Sequence, residues 1–428
     1  MQFHLRMSNE DALPEGSECY LPVHILDTLG RMKMVYVGVD IGKRNHEMGI
    51  VDAQGQRLGA SFSFSNTSQG AKSMLDYLYR LVSKEEELQI GMEATGHYWL
   101  SLYSFLTKLG FQVTVINPLQ SDSFRHLQLR KAKTDAVDAF LIADLLRFGQ
   151  YKTTVLGEEK ILALRQLSRF RLSTVDLCSG LKKQVIALLD QLFPEYETLF
   201  SNLFGKTSME VLQEYTTPEA LLELDTETLT KVLLKASRGR LGKAKAQALQ
   251  AAARDSFGLQ YAQESLVFQL KLLLQQIQFT EQQITQVEEK IALLLAEVNT
   301  VVTTLPGVGP VVGAILMGEI GDISRFEDCH KLVAFAGLDA SVRQSGDFTG
   351  TKNHISKRGS PYLRRAIWSA AVVAAVHDPV LSAFYQKKRA EGKAYGTAMG
   401  AVARKLTFAI YAVLRNNKPY QVPSHPAS

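Results

Sequence analysis

Four carboxylates in this chain stand where their side chains can meet. Asp40 closes a strand-like run, Val35-Tyr36-Val37-Gly38-Val39-Asp40, and Glu93 closes another, Leu88-Gln89-Ile90-Gly91-Met92-Glu93. Asp135 and Asp138 follow in Lys133-Thr134-Asp135-Ala136-Val137-Asp138, three apart, so a helix puts both on one face. The first two end strands, where a loop can expose a side chain. Four such charges repel one another unless a hard divalent cation sits among them. Mg²⁺ takes carboxylate oxygens and suits phosphate chemistry. These residue types therefore point to metal-dependent chemistry on nucleic-acid phosphodiesters.

The elements that must hold the acids are α/β in pattern from Met34 to Gln150. Val35, Val37 and Val39 alternate with Tyr36, Gly38 and Asp40, as a strand requires. Glu47–Asp52 and Leu58–Phe64 read as two more strands joined at Gln54-Gly55. A helix over about 68–83, the Glu93 strand, a helix over about 98–109 and the strand Gln112–Ile116 follow. Asn117-Pro118 stops that last strand. Asp135–Phe148 reads as a helix with Thr134 as its N-cap. Three strands, then alternating helix and strand, is the order of an RNase H-like domain, in which acids gather at strand ends and on a final helix.

Composition sets the bounds. The chain has 428 residues, 46% hydrophobic and 21% charged, ordinary for two or three globular domains. Net charge is +5, but residues 341–428 carry 14 Lys/Arg against three acids. A basic carboxy-terminal stretch on an otherwise acidic chain suggests a polyanionic partner. Cys19, Cys178 and Cys329 are far apart and lie in no zinc-type spacing, so a disulfide framework and a zinc site are not expected and a reducing, cytoplasmic setting is. No apolar run reads as a membrane span. Residues 1–33 read as an extension without a signal-peptide pattern.

From Gly157 to Thr300 the pattern is helical. Leu266, Leu270, Leu273, Ile277, Thr280, Ile284, Val287, Ile291, Leu294 and Val298 alternate in steps of four and three. That is the seam of a coiled coil or antiparallel helical hairpin, whose partner is the earlier helix near 161–192 or another subunit. Between the helices, Ser237-Arg238-Gly239-Arg240-Leu241-Gly242-Lys243-Ala244-Lys245 is a basic turn suited to phosphate contact. Leu305-Pro306-Gly307-Val308-Gly309-Pro310 opens a helix to about Ile320 and is similar to a helix-hairpin-helix turn, whose backbone N–H groups can hold a phosphate. A polar loop, Leu338–His354, precedes Pro361, which suits the first turn of a helix. Lys357, Arg358, Arg364 and Arg365, with Arg343 and Lys352 of the loop, are the candidate nucleic-acid contacts.

Taken together, Val39-Asp40-Ile41-Gly42-Lys43, Glu93-Ala94-Thr95-Gly96, Asn117-Pro118, Lys133-Thr134-Asp135 with Asp138, Leu305-Pro306-Gly307-Val308-Gly309, Phe335-Ala336-Gly337-Leu338, Gln344-Ser345-Gly346 and Ile355-Ser356-Lys357-Arg358-Gly359 resemble the DEDD transposases of bacterial insertion sequences. This is the insertion sequence 110 family, with its bridge-RNA-guided recombinases and Piv-type invertases. The resemblance spans about residues 34–419 and implies α/β plus α: an extension (1–33), a RuvC/RNase H-like DEDD domain (34–150), a helical coiled-coil middle (151–300), a mainly helical transposase domain (301–420) and a tail (421–428). It makes Asp40, Glu93, Asp135 and Asp138 the catalytic, Mg²⁺-binding acids and Ser345 the nucleophile. It implies a covalent phosphoserine intermediate, donor and target DNA, a structured noncoding guide RNA, and a dimer assembling to a tetramer. Residues 1–33 have no counterpart in the family pattern, and Ala340 stands where a proline is frequent.

Residues alone leave Ser345 undistinguished from Ser341, Ser356 and Ser360, although Gly346 gives the backbone freedom for close approach. The chief rival reading is a RuvC-like nuclease or Holliday-junction resolvase, which needs the acids and metal but no serine. An actin-like kinase shares only Val39-Asp40-Ile41-Gly42 and lacks a second glycine-rich motif.

Overall fold

The computed structural model describes residues 34–83, 87–126, 134–149, 151, 159–340, 344–345, 348–349 and 354–422. The extension 1–33, the end of the tail, Arg343, Gly346 and Lys352 lie outside them. The chain divides into two compact units, 1–155 and 156–428.

The first unit is built on a five-stranded mixed sheet. Its elements are β1 (Met34–Ile41), β2 (Asn45–Asp52), β3 (Phe62–Ser65), α1 (Ser68–Leu81), β4 (Glu87–Glu93), α2 (Trp99–Lys108), β5 (Val113–Ile116), α3 (Pro118–Arg125) and α4 (Asp135–Phe148). Strand order is β3-β2-β1-β4-β5. β1 pairs antiparallel with β2 and parallel with β4, and β4 pairs parallel with β5. The central strand β1 buries Val35, Val37 and Val39 completely, as do Ile90 and Met92 on β4. β3 starts at Phe62, not at Leu58. Gly59, with φ +81°, breaks the run, and only isolated pairing of Arg57 with Val51 precedes it. α3 is an element that the sequence reading took only as a strand stop. Pro118 occupies its first position, where a missing N–H costs nothing.

α4 lies against the sheet because glycines let it. A Cβ on Gly38 would fall 2.1 Å from the Ala139 carbonyl oxygen, and one on Gly91 would fall 2.6 Å from Leu146. A Cβ at Gly38 would strike the α4 backbone, and one at Gly91 would displace the buried Leu146 side chain. Thr134 caps the helix by accepting from the Val137 N–H at 3.3 Å, and Gly149 ends it in the left-handed conformation.

The second unit is almost wholly helical: α5 (Glu159–Leu192), α6 (Tyr196–Leu199), α7 (Lys206–Glu214), α8 (Pro218–Leu222), α9 (Thr226–Ala236), α10 (Lys243–Arg254), α11 (Gln263–Ala296), α12 (Pro310–Ile320), α13 (Cys329–Ala336), the short hairpin β6 (Gln344–Ser345) and β7 (Phe348–Thr349), α14 (Pro361–His377), α15 (Pro379–Ala390) and α16 (Tyr395–Asn416). The two 34-residue helices α5 and α11 are partners within one chain. Ion pairs Lys160–Glu297, Arg171–Glu288 and Lys182–Glu281 run down one helix and up the other, so the pair is antiparallel. The buried stripe of α11 is Leu270, Leu274, Ile277, Thr280, Ile291 and Leu295. It leaves the expected seam at Leu273 and Leu294, because a 3.6-residue turn drifts against a strict heptad.

A separate core gathers α12 to α16. α16 is long and apolar enough to pass a length-and-composition test for a membrane span. In the structure it is a core helix, with Met399, Val402, Ala403, Leu406 and Ile410 packed inside the unit. Gly307, in the turn before α12, has φ +75°, and a Cβ there would fall 2.4 Å from the Ala370 carbonyl. That face of the turn is thus packed against α14.

Candidate active site

The four acids meet at one end of the sheet in the first unit. Asp40 is the penultimate residue of β1, Glu93 ends the adjacent parallel strand β4, and Asp135 and Asp138 open α4. Parallel pairing of β1 with β4 puts both strand ends on the same edge, and the glycine contacts fix α4 above it. The arrangement is electrostatically costly. Burial, reinforced by the charges of Asp138, Asp135 and Glu93, pushes the Asp40 carboxyl up to about 6.

Neighbours hold two of the acids in place. Glu93 accepts from Thr95 Oγ1 at 3.0 Å on one oxygen and from Ser121 Oγ at 2.7 Å on the other. Ser121 is buried on α3. Asp138 of α4, 7% exposed, forms an ion pair with Arg125 of α3 at 2.9 Å. Among the described residues, no three Asp, Glu, His or Cys side chains are grouped tightly enough to hold a metal as they stand. The reason is visible in these contacts, since Arg125 supplies the countercharge and two hydroxyls occupy Glu93. The donors are nevertheless all carboxylate oxygens, the set a hard divalent cation takes, and the raised Asp40 carboxyl marks charge that such a cation would relieve.

The other candidates are in the second unit. Ser345 lies in β6 and pairs antiparallel with Phe348 of β7. The loop's base is closed by a bridge between Ala340 and Ile355, by the Ser356 N–H donating to the Asp339 carbonyl at 2.8 Å, and by the Ser356 hydroxyl on the Asp339 carboxylate. Lys357 and Arg358 are exposed. Arg364 donates to the Ala336 carbonyl at 3.1 Å, and Arg365 pairs with Asp176 of α5 at 2.8 Å. The basic cluster is thus split into two exposed cations with no side-chain partner among the described residues and two engaged in holding the fold. Thr95 touches Glu93, whereas His97 packs against Tyr98 with the ring planes tilted by 41°.

Sequence reasoning missed Arg125 and Ser121, because it missed α3. Asn117-Pro118 before a polar run was the available signal, since proline favours the first helical position as well as ending strands. It also missed buried Glu319 on α12, which accepts from Arg169 at 2.6 and 3.0 Å and from the Ser360 hydroxyl at 2.8 Å.

Comparison with known proteins places these features in a family. A DEDD transposase model of the IS110 type matches residues 37–194, and a model described as the transposase IS116/IS110/IS902 family matches residues 299–386. The chain belongs to this transposase family. It is 26% identical over 405 residues to an IS116 insertion element protein of Streptomyces clavuligerus, covering 93% of this chain and 98% of that one. It is 23% identical to the pilin gene-inverting protein of Moraxella bovis, covering 92% and 100%. It is also 25% identical to a mini-circle putative transposase for IS117 of Streptomyces coelicolor, covering 85% and 90%. The first matched region takes in Asp40, Glu93, Asp135 and Asp138, and the second takes in Ser345.

Proposed function

We propose that this transposase cuts and rejoins DNA through a phosphoserine at Ser345, assisted by Mg²⁺ held by Asp40, Glu93, Asp135 and Asp138. The observation that carries the reading is the convergence of four carboxylates on one sheet edge, with the Asp40 carboxyl raised to about 6. A strand order of β3-β2-β1-β4-β5 with acids at the ends of β1 and β4 supports a RuvC-like, RNase H-type assignment of the first unit. Bound at these acids, a divalent cation would supply Lewis-acid charge at the scissile phosphate. Arg125 must first yield Asp138, and Ser121 and Thr95 keep Glu93 aimed meanwhile.

Ser345 Oγ attacks phosphorus, the bond from phosphorus to the leaving sugar oxygen breaks, and the serine proton ends on that hydroxyl. The bond energy is retained in the phosphoserine, so rejoining to another strand end needs no ATP. Selection of donor and target by a structured noncoding RNA, and assembly as a dimer and tetramer, are carried by the family resemblance. Lys357 and Arg358 are the exposed cations beside the loop that would meet DNA.

Covalent trapping tests the reading. Protein, Mg²⁺, RNA transcribed from the element's flanks and labelled junction DNA are resolved on a denaturing gel. A DNA-linked protein band that vanishes in Ser345→Ala and Asp138→Ala is expected. The first unit holds all four acids by itself, as a metal-dependent nuclease would. Cleavage without a linked band, surviving Ser345→Ala, would move the assignment to that class.

A further inference from the structure

The second unit has a cavity of about 360 Å³ between α7 and the turn joining α9 to α10. Its wall carries Arg238, Arg240 and Lys206, which pairs with Glu210 of α7 at 3.7 Å, and no acid lines it. That is not a matter of local composition, because residues 196–255 contain eight Lys/Arg and eight Asp/Glu. Five of the cations, Lys235, Arg238, Arg240, Lys243 and Lys245, fall within eleven residues that hold no acid. Of these, Arg238 and Arg240 line the cavity, and Lys245 lies over a ring in its wall.

The turn is built to do this. Arg238 has φ +54° and Gly239 φ +82°, so an arginine is held in the left-handed region. Such a conformation costs about 1–3 kcal/mol at a non-glycine residue and persists only where its surroundings enforce it. Here the Gly239 N–H donates to the Leu234 carbonyl at 2.7 Å and the Leu241 N–H to buried Ser237 Oγ at 2.8 Å. Across the cavity α7 begins at Gly205, which has no side chain to cap it, so the first-turn N–H groups add positive potential to the cations. Phe200, also in the wall, carries Lys245 over its ring at 4.8 Å.

We propose that this cavity is a binding site for the phosphodiester backbone of a nucleic acid, separate from the carboxylate site of the first unit. Backbone phosphate is the ligand that matches exposed arginines, backbone N–H groups and an acid-free lining at once, and it needs no base-specific groups. DNA and RNA share this chemistry.

The full-length protein is titrated against a labelled DNA duplex and a labelled single-stranded RNA at several salt concentrations. Arg238→Ala/Arg240→Ala is compared with wild type and with Lys231→Ala, an exposed change outside the cavity. For at least one nucleic acid, the double variant is expected to weaken binding about tenfold. It should also flatten the log-affinity against log-salt slope by about 1.8 for duplex or 1.4 for single strand. Lys231→Ala should leave that slope unchanged. In parallel, benzoylphenylalanine replaces Ser201 on the cavity wall, and irradiation should crosslink the same nucleic acid. The responding probe identifies the source. An unchanged slope, or no crosslink at Ser201, overturns the proposal. Should the double variant melt at a lower temperature than wild type, the salt-sensitive crosslink in the otherwise unaltered chain decides.

Discussion

Two buried carboxylates, each facing an arginine, separate the proposed catalytic site from a strut. Glu319 of α12, 3% exposed, has both oxygens satisfied, by a two-point contact with Arg169 and by the Ser360 hydroxyl that also caps α14. Asp138 of α4 has its ion pair with Arg125 but shares its surroundings with three other acids. The first arrangement has no negative charge left to neutralise, because Arg165 and Arg325 also lie near Glu319, so removing the carboxylate can only lose energy. The second keeps an excess of negative charge that one arginine does not cancel. A buried acid with complete partners holds a fold together, whereas one in a like-charged cluster keeps charge that a further cation would relieve.

The contrast predicts opposite responses to neutralisation. Asp138→Asn should remove several kcal/mol of transition-state stabilisation, roughly a thousandfold in strand joining, while thermal unfolding of the metal-free protein stays within a few degrees of wild type. Glu319→Ala should do the reverse in kind. It strands Arg169 and unties the α14 cap, lowering stability by about 2–4 kcal/mol after allowance for the 45% exposed guanidinium. Urea unfolding followed by circular dichroism measures it. A Glu319→Ala protein of normal stability, or an Asp138→Asn protein of normal activity, would break the comparison.

Ser121 sharpens it further. The hydroxyl touches Glu93 and no reacting group, so it is a positioning residue. Ser121→Ala should lower the joining rate about tenfold, the scale of one hydrogen bond to a charged group. The loss should appear as weaker Mg²⁺ dependence at unchanged DNA affinity, and Ser121→Thr should recover part of it. A change in DNA affinity alone would mean that α3 supports substrate instead.

These residues also show what a sequence can and cannot disclose. Asp40, Glu93, Asp135 and Asp138 were legible because each sits at a strand end or helix start, where periodicity changes and a cap residue such as Thr134 stands. The glycines that bring them together, Gly38 and Gly91, look like ordinary weak strand residues until α4 is seen against them. Arg125 and Ser121 were hidden, since their roles depend on an eight-residue helix whose pattern is too short to show a period. The α5–α11 pairing was legible as a seam but not in its exact stripe, which drifts with the helical pitch. Ser345 stood out only through family resemblance, because a hydroxyl in a polar loop has no pattern of its own. Arg364 and Arg365 looked like free cations, yet their partners, the Ala336 carbonyl and Asp176, are distant in sequence.

The smallest effect concerns pH. In the folded chain the Asp40 carboxyl is raised to about 6 from an ordinary 3.8. Between those values the folded state binds a proton that the unfolded state has released. Stability from this group is therefore fully present below about pH 4 and is lost as pH rises through 6. Asp40→Asn removes the charge that the fold disfavours, so it should raise the melting temperature at pH 8 by a few degrees and leave it nearly unchanged at pH 4. Mg²⁺ should oppose the same loss in wild type by screening the four acids, giving a larger melting shift at pH 8 than at pH 5. Calorimetry at the two pH values, with and without 10-millimolar-scale Mg²⁺, reads both differences. If Asp40→Asn lowered stability at pH 8, the Asp40 carboxylate would be making a favourable contact, and the excess negative charge that distinguishes this cluster from Glu319 would not exist.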